Sequence, residues 1–253
     1  MATTKMIARR ESPAAPRPHE RYKQDLLAEV ARFAPESVLD VGCGAGELLR
    51  NCISAGIARC VGIEPDLEAV AALKTAGLDA RPGRAEALEF PASSFDIVTF
   101  DYVAHHVEHI ELGLAEAMRV ARRAVIVLDP WYDLSIESQR VAADFDLWLK
   151  RIDRRRGMVH DPSVTAAQLM RPFIGRDEWQ IDCRHRLILQ PLPLYEIEAQ
   201  AKRQLAAAGP SRPLEDALER LLDRARQHGV SDDGAILFSA TRTEARGENP
   251  WRT

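Results

Sequence analysis

The chain has 253 residues, of which 46% are hydrophobic and 28% are charged. Its 34 basic and 38 acidic residues give a net charge of −4, which counts against a dedicated nucleic-acid binder because such proteins carry a basic surplus. The sequence has no signal peptide, no run of about 18 apolar residues and no framework spacing among its four cysteines. We therefore expect a globular, cytoplasmic protein that does not act in a membrane.

The first half of the chain alternates between strand-like and helix-like segments. Residues 1–18 are polar and aperiodic and predict a mobile tail, and residues 19–33 have the apolar spacing of a helix. Short apolar runs separated by helical stretches then predict a parallel sheet covered on both faces, which is a doubly wound α/β fold. The strand-like runs are 38–41, 60–63, 97–100 and 124–128.

The pattern changes after Pro130. Two late strand-like segments without a clear parallel crossover predict an antiparallel edge strand, and the helical segments around them predict cap insertions at about 131–178 and 190–231. We treat 19–253 as a single domain that includes these caps. The predicted segments are a helix over 136–155, a helix over 164–170 capped by Ser163, strands over 179–189 and 235–240, and a helical insert over 195–229 broken at Gly209–Pro210 and Pro213.

A glycine-rich turn follows the first predicted strand. It reads G-x-G-x-G from Gly42 to Gly46, preceded by Asp40, and a helix comes next. Glycines permit positive φ and let a ligand approach the backbone closely. The pattern is not the G-x-G-x-x-G of dinucleotide enzymes, because Glu47 takes the place of the last glycine. Asp40 also suits a cationic group of a ligand better than a pyrophosphate.

A second acid, Glu64, ends the next predicted strand 24 residues after Asp40. In doubly wound nucleotide sites a carboxylate at about this distance accepts hydrogen bonds from a ribose diol. The alternative is a solvated acid at the start of a helix opened by Pro65. Beside the glycine turn we favour the ribose role.

These two stretches, together with residues 95–107 and 117–122, resemble the class I S-adenosylmethionine-dependent methyltransferases. The resemblance is closest to the small-molecule group that includes the ubiquinone/menaquinone type, and it runs from about residue 37 to residue 130. It implies a seven-stranded sheet, S-adenosyl-L-methionine as cofactor, and methyl transfer to a small organic acceptor.

The same resemblance assigns cofactor-binding residues. It places the methionine part of the cofactor, the ribose, the adenine and the sulfonium, in that order, at Asp40, Gly42, Cys43 and Gly44; at Glu64 and Pro65; at Ala85 and Glu86; and at Phe100 and Asp101. The chain departs from the family at Arg84, where an acid commonly accepts a bond from the adenine amino group, and at 121–123, which replace a Pro-Gly-Gly turn. Glu86 or a backbone carbonyl would then have to make the adenine contact.

Three residues near the end of the fourth motif are candidates for catalysis: His105, His106 and Asp101. A general base would be useful beside the methyl donor, but histidines here can also pack against or cap the next helix, and we favour a positioning role. Adjacent helical residues point apart, so we expect no metal site from His105, His106 and His109.

The acceptor should lie beyond the carboxyl ends of the strands, near Asp129, Trp131 and Tyr132. The two aromatic residues could instead anchor the following helix. Two other functions stay open: an enzyme that cyclises S-adenosylmethionine or transfers its aminocarboxypropyl group, and a non-catalytic binding protein. The sequence also leaves open whether the chain forms a homodimer.

Overall fold

The computed structural model describes residues 17–209 and 211–243, so most of the predicted tail over 1–18, and Pro210, lie outside the described residues. Pro18 already belongs to the first helix. The strands are β1 (Ser37–Val41), β2 (Arg59–Glu64), β3 (Ala80–Pro82), β4 (Phe95–Asp101), β5 (Ala121–Trp131), β6 (Trp179–Arg186) and β7 (Gly234–Arg242). The α-helices are α1 (Pro18–Ala31), α2 (Glu47–Ser54), α3 (Leu67–Thr75), α4 (Ile110–Val120), α5 (Glu137–Arg155), α6 (Ala166–Met170), α7 (Leu194–Ala208) and α8 (Arg212–His228).

The strands form one sheet in the order β3-β2-β1-β4-β5-β7-β6. Strands β1 to β5 are parallel, whereas β7 is antiparallel to both β5 and β6. This confirms the predicted fold class, with β7 as the reversed strand and β6 outside it. The chain leaves β1 toward β2 on one side and returns at β4 on the other, so a crevice opens between the carboxyl ends of β1 and β4, where open α/β sheets bind ligands.

Helices cover both faces of the sheet, which explains why the central strands are continuous apolar runs. On one face Tyr22 and Leu26 of α1 and Leu48 of α2 pack against inward residues of β1, β4 and β5. On the opposite face α4 and α6 pack through residues such as Leu114 and Leu169. Helix α1 thereby reaches the sheet beside the crevice.

Helices α5, α7 and α8 form an apolar cluster of their own. Phe145 and Trp148 of α5 lie against Ile197 of α7 and Leu214 of α8, and the Trp148 indole donates a hydrogen bond to the Leu214 carbonyl at 3.0 Å. The insert does break after Gly209, but Pro213 lies in the first turn of α8 and does not interrupt a helix. No helix in the described ranges is long and apolar enough to cross a membrane.

Two local predictions were wrong. Helix α6 is capped by Thr165, not Ser163: the Thr165 hydroxyl accepts from the Gln168 amide and the Gln168 side chain accepts from the Thr165 amide, a capping box. Ser163 instead accepts a bond from Lys150. Strand β3, which the apolar pattern did not reveal, has only three residues and buries only Ala80.

Candidate functional site

The glycine turn lies at the carboxyl end of β1 and needs its glycines for backbone reasons. Gly42, Gly44 and Gly46 have φ of +71°, +48° and +74°, the left-handed region. A Cβ on Gly42 would lie 2.2 Å from Cγ2 of Val103, so this glycine also permits close packing against the segment after β4. A Cβ on Gly44 would meet nothing within 4 Å, because that side of the turn faces open space.

A cavity of about 650 Å³ opens beside this turn. Ten of the residues predicted for the site line it together: Asp40, Gly42, Cys43, Gly44, Glu64, Pro65, Ala85, Glu86, Asp101 and His106. They come from the ends of three neighbouring strands and from the segment 83–86, as the strand order requires. The cavity therefore lies at the crevice between β1 and β4.

The Glu64 carboxylate is held in place at the end of β2. Its Oε2 accepts a hydrogen bond from the Gly44 amide at 2.9 Å, and its Oε1 accepts one from the Asp66 amide at 3.1 Å. The acid thus links the glycine turn to the start of α3, where Asp66 is the N-cap. Its oxygens face the cavity in a fixed orientation.

Asp40 is almost fully buried, with 2% of its surface exposed. Its Oδ1 accepts a hydrogen bond from the Thr99 hydroxyl at 3.0 Å. Burial raises the pKa of Asp40 well above its ordinary value, and the nearby Asp101 carboxylate raises it further. A cation placed in the cavity would relieve this cost and favour the charged form.

Asp101 faces a cation from a distant part of the chain. Lys23 of α1 places its Nζ 3.5 Å from Asp101 Oδ2 and 2.5 Å from Glu47 Oε2. Burial raises the pKa of Asp101, and Lys23 opposes this shift. Asp101 Oδ1 is buried without a hydrogen-bond partner in the part of the chain that the structure describes.

The segment with Arg84 shows how the departure from the family motif is accommodated. Arg84 extends away to bond Glu86 Oε1 and Glu108 Oε2, each at 3.3 Å. The His109 amide also donates to Glu86. Burial alone would raise the pKa of Glu86, but these backbone and guanidinium contacts outweigh it and lower the pKa. Glu86 is thus a charged, positioned acceptor on the cavity wall.

The two adjacent histidines occupy different environments. His106 lines the cavity and its Nδ1 lies 3.0 Å from the Val159 carbonyl oxygen. His105 is 7% exposed, does not line the cavity, and contacts Asp129 through Nδ1 and Oδ1 at 2.8 Å. Asp129 is fully buried, and its Oδ2 has no partner among the described residues.

Three other predicted site residues lie outside the cavity wall. Phe100 is fully buried in the core on the α4 face of the sheet. Trp131 packs against that core and stacks on His185 at 4.5 Å between ring centroids. Tyr132 packs against the cluster of α5, α7 and α8, and burial raises its pKa well above the ordinary value. The two aromatic residues thus make the anchoring contacts that the sequence left open.

Sequence reasoning missed several residues that line the cavity: Lys23, Asp66, Tyr102, Val103, Met158 and Val159. Met158 and Val159 belong to the segment 157–163 after α5, which approaches the end of β4. The Asp161 amide donates a hydrogen bond to the His105 carbonyl at 2.8 Å, which fixes this segment there. No local motif marks it, because its place depends on the length and direction of α5.

Comparison with known proteins supports what the geometry indicates. Residues 39–128 match the family model described as a methyltransferase domain. The chain is 32% identical over 97 residues to the uncharacterized methyltransferase YcgJ of Bacillus subtilis, which covers 36% of this chain and 38% of the relative. It is 27% identical over 118 residues to the ribosomal RNA small subunit methyltransferase A of Bradyrhizobium, covering 44% and 41%. The matches therefore span about two fifths of each curated relative.

The fold likeness extends further along the chain. A crystal structure of the YcgJ protein superimposes with a TM-score of 0.60, at 19% identity, over 89% of this chain and 100% of that one. At this identity the likeness concerns the fold. It includes much of the region after residue 130, where the matching family model ends.

Proposed function

The chain belongs, through residues 39–128, to the class I S-adenosylmethionine-dependent methyltransferases, and on this premise we propose that it transfers a methyl group from S-adenosyl-L-methionine to a small organic acceptor. The observation that carries the proposal is the arrangement of Asp40, Glu64 and Asp101 around the glycine turn in one cavity. Three carboxylates at neighbouring strand ends suit a ligand with cationic groups and a ribose diol.

The residues present fit this cofactor. The open space beside Gly44 is where a Cβ would intrude on a ligand against the backbone. Glu64, oriented by two backbone amides, would accept hydrogen bonds from the ribose hydroxyls. Asp40, whose burial makes its charge costly, would face the ammonium group of the methionine part.

Lys23 would hold the carboxylate of the cofactor's methionine part. It is the ammonium group on the cavity wall closest to Asp101, and it reaches the wall from α1 with 21% of its side chain exposed. The methionine part carries one positive and one negative group, so a buried acid and a lysine on the same wall match both charges. Helix α1 then takes part in cofactor binding as well as in the core.

When bound, the cofactor supplies an electrophilic methyl group on a sulfonium. The chain's part is to position the acceptor in line with that methyl group and to exclude water, which requires no catalytic triad. Asp101 and Tyr102 lie at the end of β4 with the Asp101 Oδ1 and the Tyr102 hydroxyl buried and unpartnered among the described residues. These atoms would take hydrogen bonds from an acceptor that carries O–H or N–H groups.

The helical cluster of α5, α7 and α8 would form a cap over the acceptor. The segment 157–163 brings Met158 and Val159 from the end of α5 into the cavity wall. Gln139 of α5 donates to Ser231 Oγ at 2.7 Å and thereby joins the cluster to the segment before β7. A cap tied down at both ends would keep water from the methyl group and select acceptors by shape.

The decisive experiment combines binding and product analysis. Calorimetry should show binding of S-adenosylmethionine and S-adenosylhomocysteine to the purified chain. Mass spectrometry of incubations with candidate metabolites should then show S-adenosylhomocysteine together with a product heavier by one methyl group. Methylthioadenosine without a methylated product would indicate aminocarboxypropyl transfer or cyclisation instead, and absence of binding would contradict the proposal.

The role of the cap needs its own test. Replacing residues 190–231 with a short loop should leave the affinity for S-adenosylmethionine within about threefold of that of the intact chain, because the donor cavity is built from other segments. Turnover of the accepted substrate should be abolished. Unchanged turnover with the same substrate profile would show that this insert does not select the acceptor.

A further inference from the structure

Three histidine side chains meet at the acceptor end of the cavity. His105 and His106 lie in the short 3₁₀ turn over residues 104–106, and His160 lies in the segment 157–163, 54 residues after His106. Their ring centroids are 4.3, 5.2 and 4.2 Å apart for the pairs 105–106, 105–160 and 106–160. One ligand nitrogen from each ring lies within 4.8 Å of the other two.

Each ring is oriented in the same way, through Nδ1. His105 Nδ1 contacts Asp129 Oδ1 at 2.8 Å, His160 Nδ1 contacts Asp153 Oδ2 at 2.7 Å, and His106 Nδ1 contacts the Val159 carbonyl oxygen at 3.0 Å. Carboxylates and carbonyls accept hydrogen bonds, so Nδ1 carries the proton in every ring. The lone pair of each ring is therefore on Nε2.

This pattern is the one that metal-binding histidines show. A ligating imidazole almost always donates its other N–H to a carboxylate or a backbone carbonyl, which fixes the tautomer and the ring direction. Three such rings brought together without a metal would place three lone pairs near one another with no proton between them. Zinc binds imidazole nitrogen at about 2.0–2.1 Å, so nitrogens on one ion are at most about 4.2 Å apart, which small ring rotations achieve.

The surrounding charges also favour a divalent cation. Asp129 and Asp153 each contribute a carboxylate directly behind a ring, and Asp129 Oδ2 is buried without a partner among the described residues. The nearby cation, Lys150, is fully buried and paired with Asp146 at 2.9 Å, so its charge is compensated. The net charge around the three rings is thus negative before a metal binds.

From these contacts we infer that His105, His106 and His160 bind a divalent transition-metal ion of the zinc class, with a free coordination position directed at the donor cavity. Three imidazole ligands and one open position are typical of catalytic zinc sites. His106 lines the cavity and sets that direction. The expectation of no metal rested on His109, which is not part of the cluster, and on helical geometry, which the 3₁₀ turn does not have.

The site also suggests an acceptor class, an extension that rests on the proposed methyl transfer. An acceptor hydroxyl or thiol bound at the open position would lose its proton to solvent more readily. Its oxygen or sulfur would then take the methyl group from the sulfonium, forming the new bond to carbon while the S–CH3 bond breaks and neutral S-adenosylhomocysteine leaves. The favoured acceptors are therefore alcohols, phenols and thiols.

The test is a metal titration of the chelator-treated full chain with Zn²⁺ alone, followed by competition with a chromophoric chelator. We expect one Zn²⁺ per chain with a micromolar or lower Kd, and Co²⁺ in its place should give the visible absorption of four-coordinate cobalt. His160→Gln should weaken binding at least 100-fold. Asp129→Asn and Asp153→Asn should weaken it about 10- to 100-fold, since they orient ligands.

The matched control is His109→Gln, which changes an exposed histidine three residues from the cluster and should leave the Zn²⁺ affinity unchanged. Because His160 does not line the donor cavity, the His160→Gln variant should keep its melting temperature and its S-adenosylmethionine affinity. No binding below about 100 μM Zn²⁺, equal losses in the His109 variant, or unaltered binding by His160→Gln would each overturn the metal site. Loss of S-adenosylmethionine binding in the metal-free wild-type chain would instead contradict the proposed function.

Discussion

The two halves of the cavity are built in different ways. The donor side, consisting of residues 40–46 and 64–66, is formed by two strand–turn–helix units that follow each other directly in the chain. The acceptor side, consisting of residues 101–106, Asp129, 157–163 and 231–234, is assembled from four separate segments. A ligand common to many enzymes is held by local structure, whereas selectivity arises where distant segments meet. Four variants can break or sharpen this contrast.

The largest effect is expected from Gly42→Ala on the donor side. The added Cβ would lie 2.2 Å from Val103 at a φ of +71°, so overpacking and left-handed strain together should cost about 2–5 kcal/mol of unfolding free energy. Gly44→Ala is the control, since its Cβ meets no atom within 4 Å and only the strain of about 1–2 kcal/mol remains. Chemical denaturation measures both, and equal losses would show that close packing does not determine the turn.

On the acceptor side, the buried acid Asp233 should make stability depend on pH. Burial, with the neighbouring carboxylates Asp232 and Asp146, raises the pKa of Asp233 from 3.8 to about 7. Between these values the native state binds more protons than the unfolded state, so this group's contribution to stability falls as pH rises, and the loss is complete above pH 7. Asp233→Asn should therefore be more stable than wild type at pH 8 by about 1–3 kcal/mol, and about equal to it at pH 4.

Denaturation curves of both proteins at pH 4, 6 and 8 measure this difference. A variant that is equally stable relative to wild type at all three pH values would show that Asp233 titrates normally. Asp216→Asn, an exposed position on α8, is the control and should produce no pH-dependent difference.

Glu64→Ala tests the donor side through binding. Removing a positioned carboxylate should weaken S-adenosylmethionine binding by about 1–3 kcal/mol, the cost of leaving hydroxyl groups unmatched. Glu68→Ala, which removes an exposed acid from the first turn of α3, should leave the affinity unchanged. Calorimetry that finds the same Kd for Glu64→Ala and wild type would remove Glu64 from the ribose site.

The smallest effect is expected for Lys23→Met, which tests whether a distant helix contributes to the donor side. Losing this partly exposed cation should weaken S-adenosylmethionine binding by about 0.5–1.5 kcal/mol, with a smaller difference at high salt. Lys74→Met at the exposed end of α3 is the charge-matched control. If both variants bind as tightly as wild type, α1 serves only the core.

The same contrast explains what could be predicted from the sequence. The turn at Gly42 and the acid Glu64 are readable because glycine's backbone freedom and the end of an apolar strand are local properties. Strand β3 was missed because it buries only Ala80, and Ser163 was chosen over Thr165 because the reciprocal contact of Thr165 with Gln168 was overlooked. Thr165 was therefore predictable from a known motif.

Other residues could not have been found from local patterns. Lys23 and His160 become site residues only through the crossing of α1 over the sheet and the length of α5. His105 and His106 are adjacent in sequence, yet one is buried against Asp129 and the other faces the cavity, because the 3₁₀ turn lies at the boundary between core and crevice. Such assignments need tertiary structure.

The position of β7 also has a consequence for the order in which the molecule assembles. This strand follows β5 and β6 in the chain but lies between them, pairing Asp129 with Ile236 and His185 with the same residue on its other side. During synthesis the parallel strands β1 to β5 can pair before β7 exists, and the edge of β5 remains open to wrong partners until then. Insertion of β7 closes that edge and brings Asp232 and Asp233 to the cavity, so the protein completes its sheet and its acceptor side in the same late folding step.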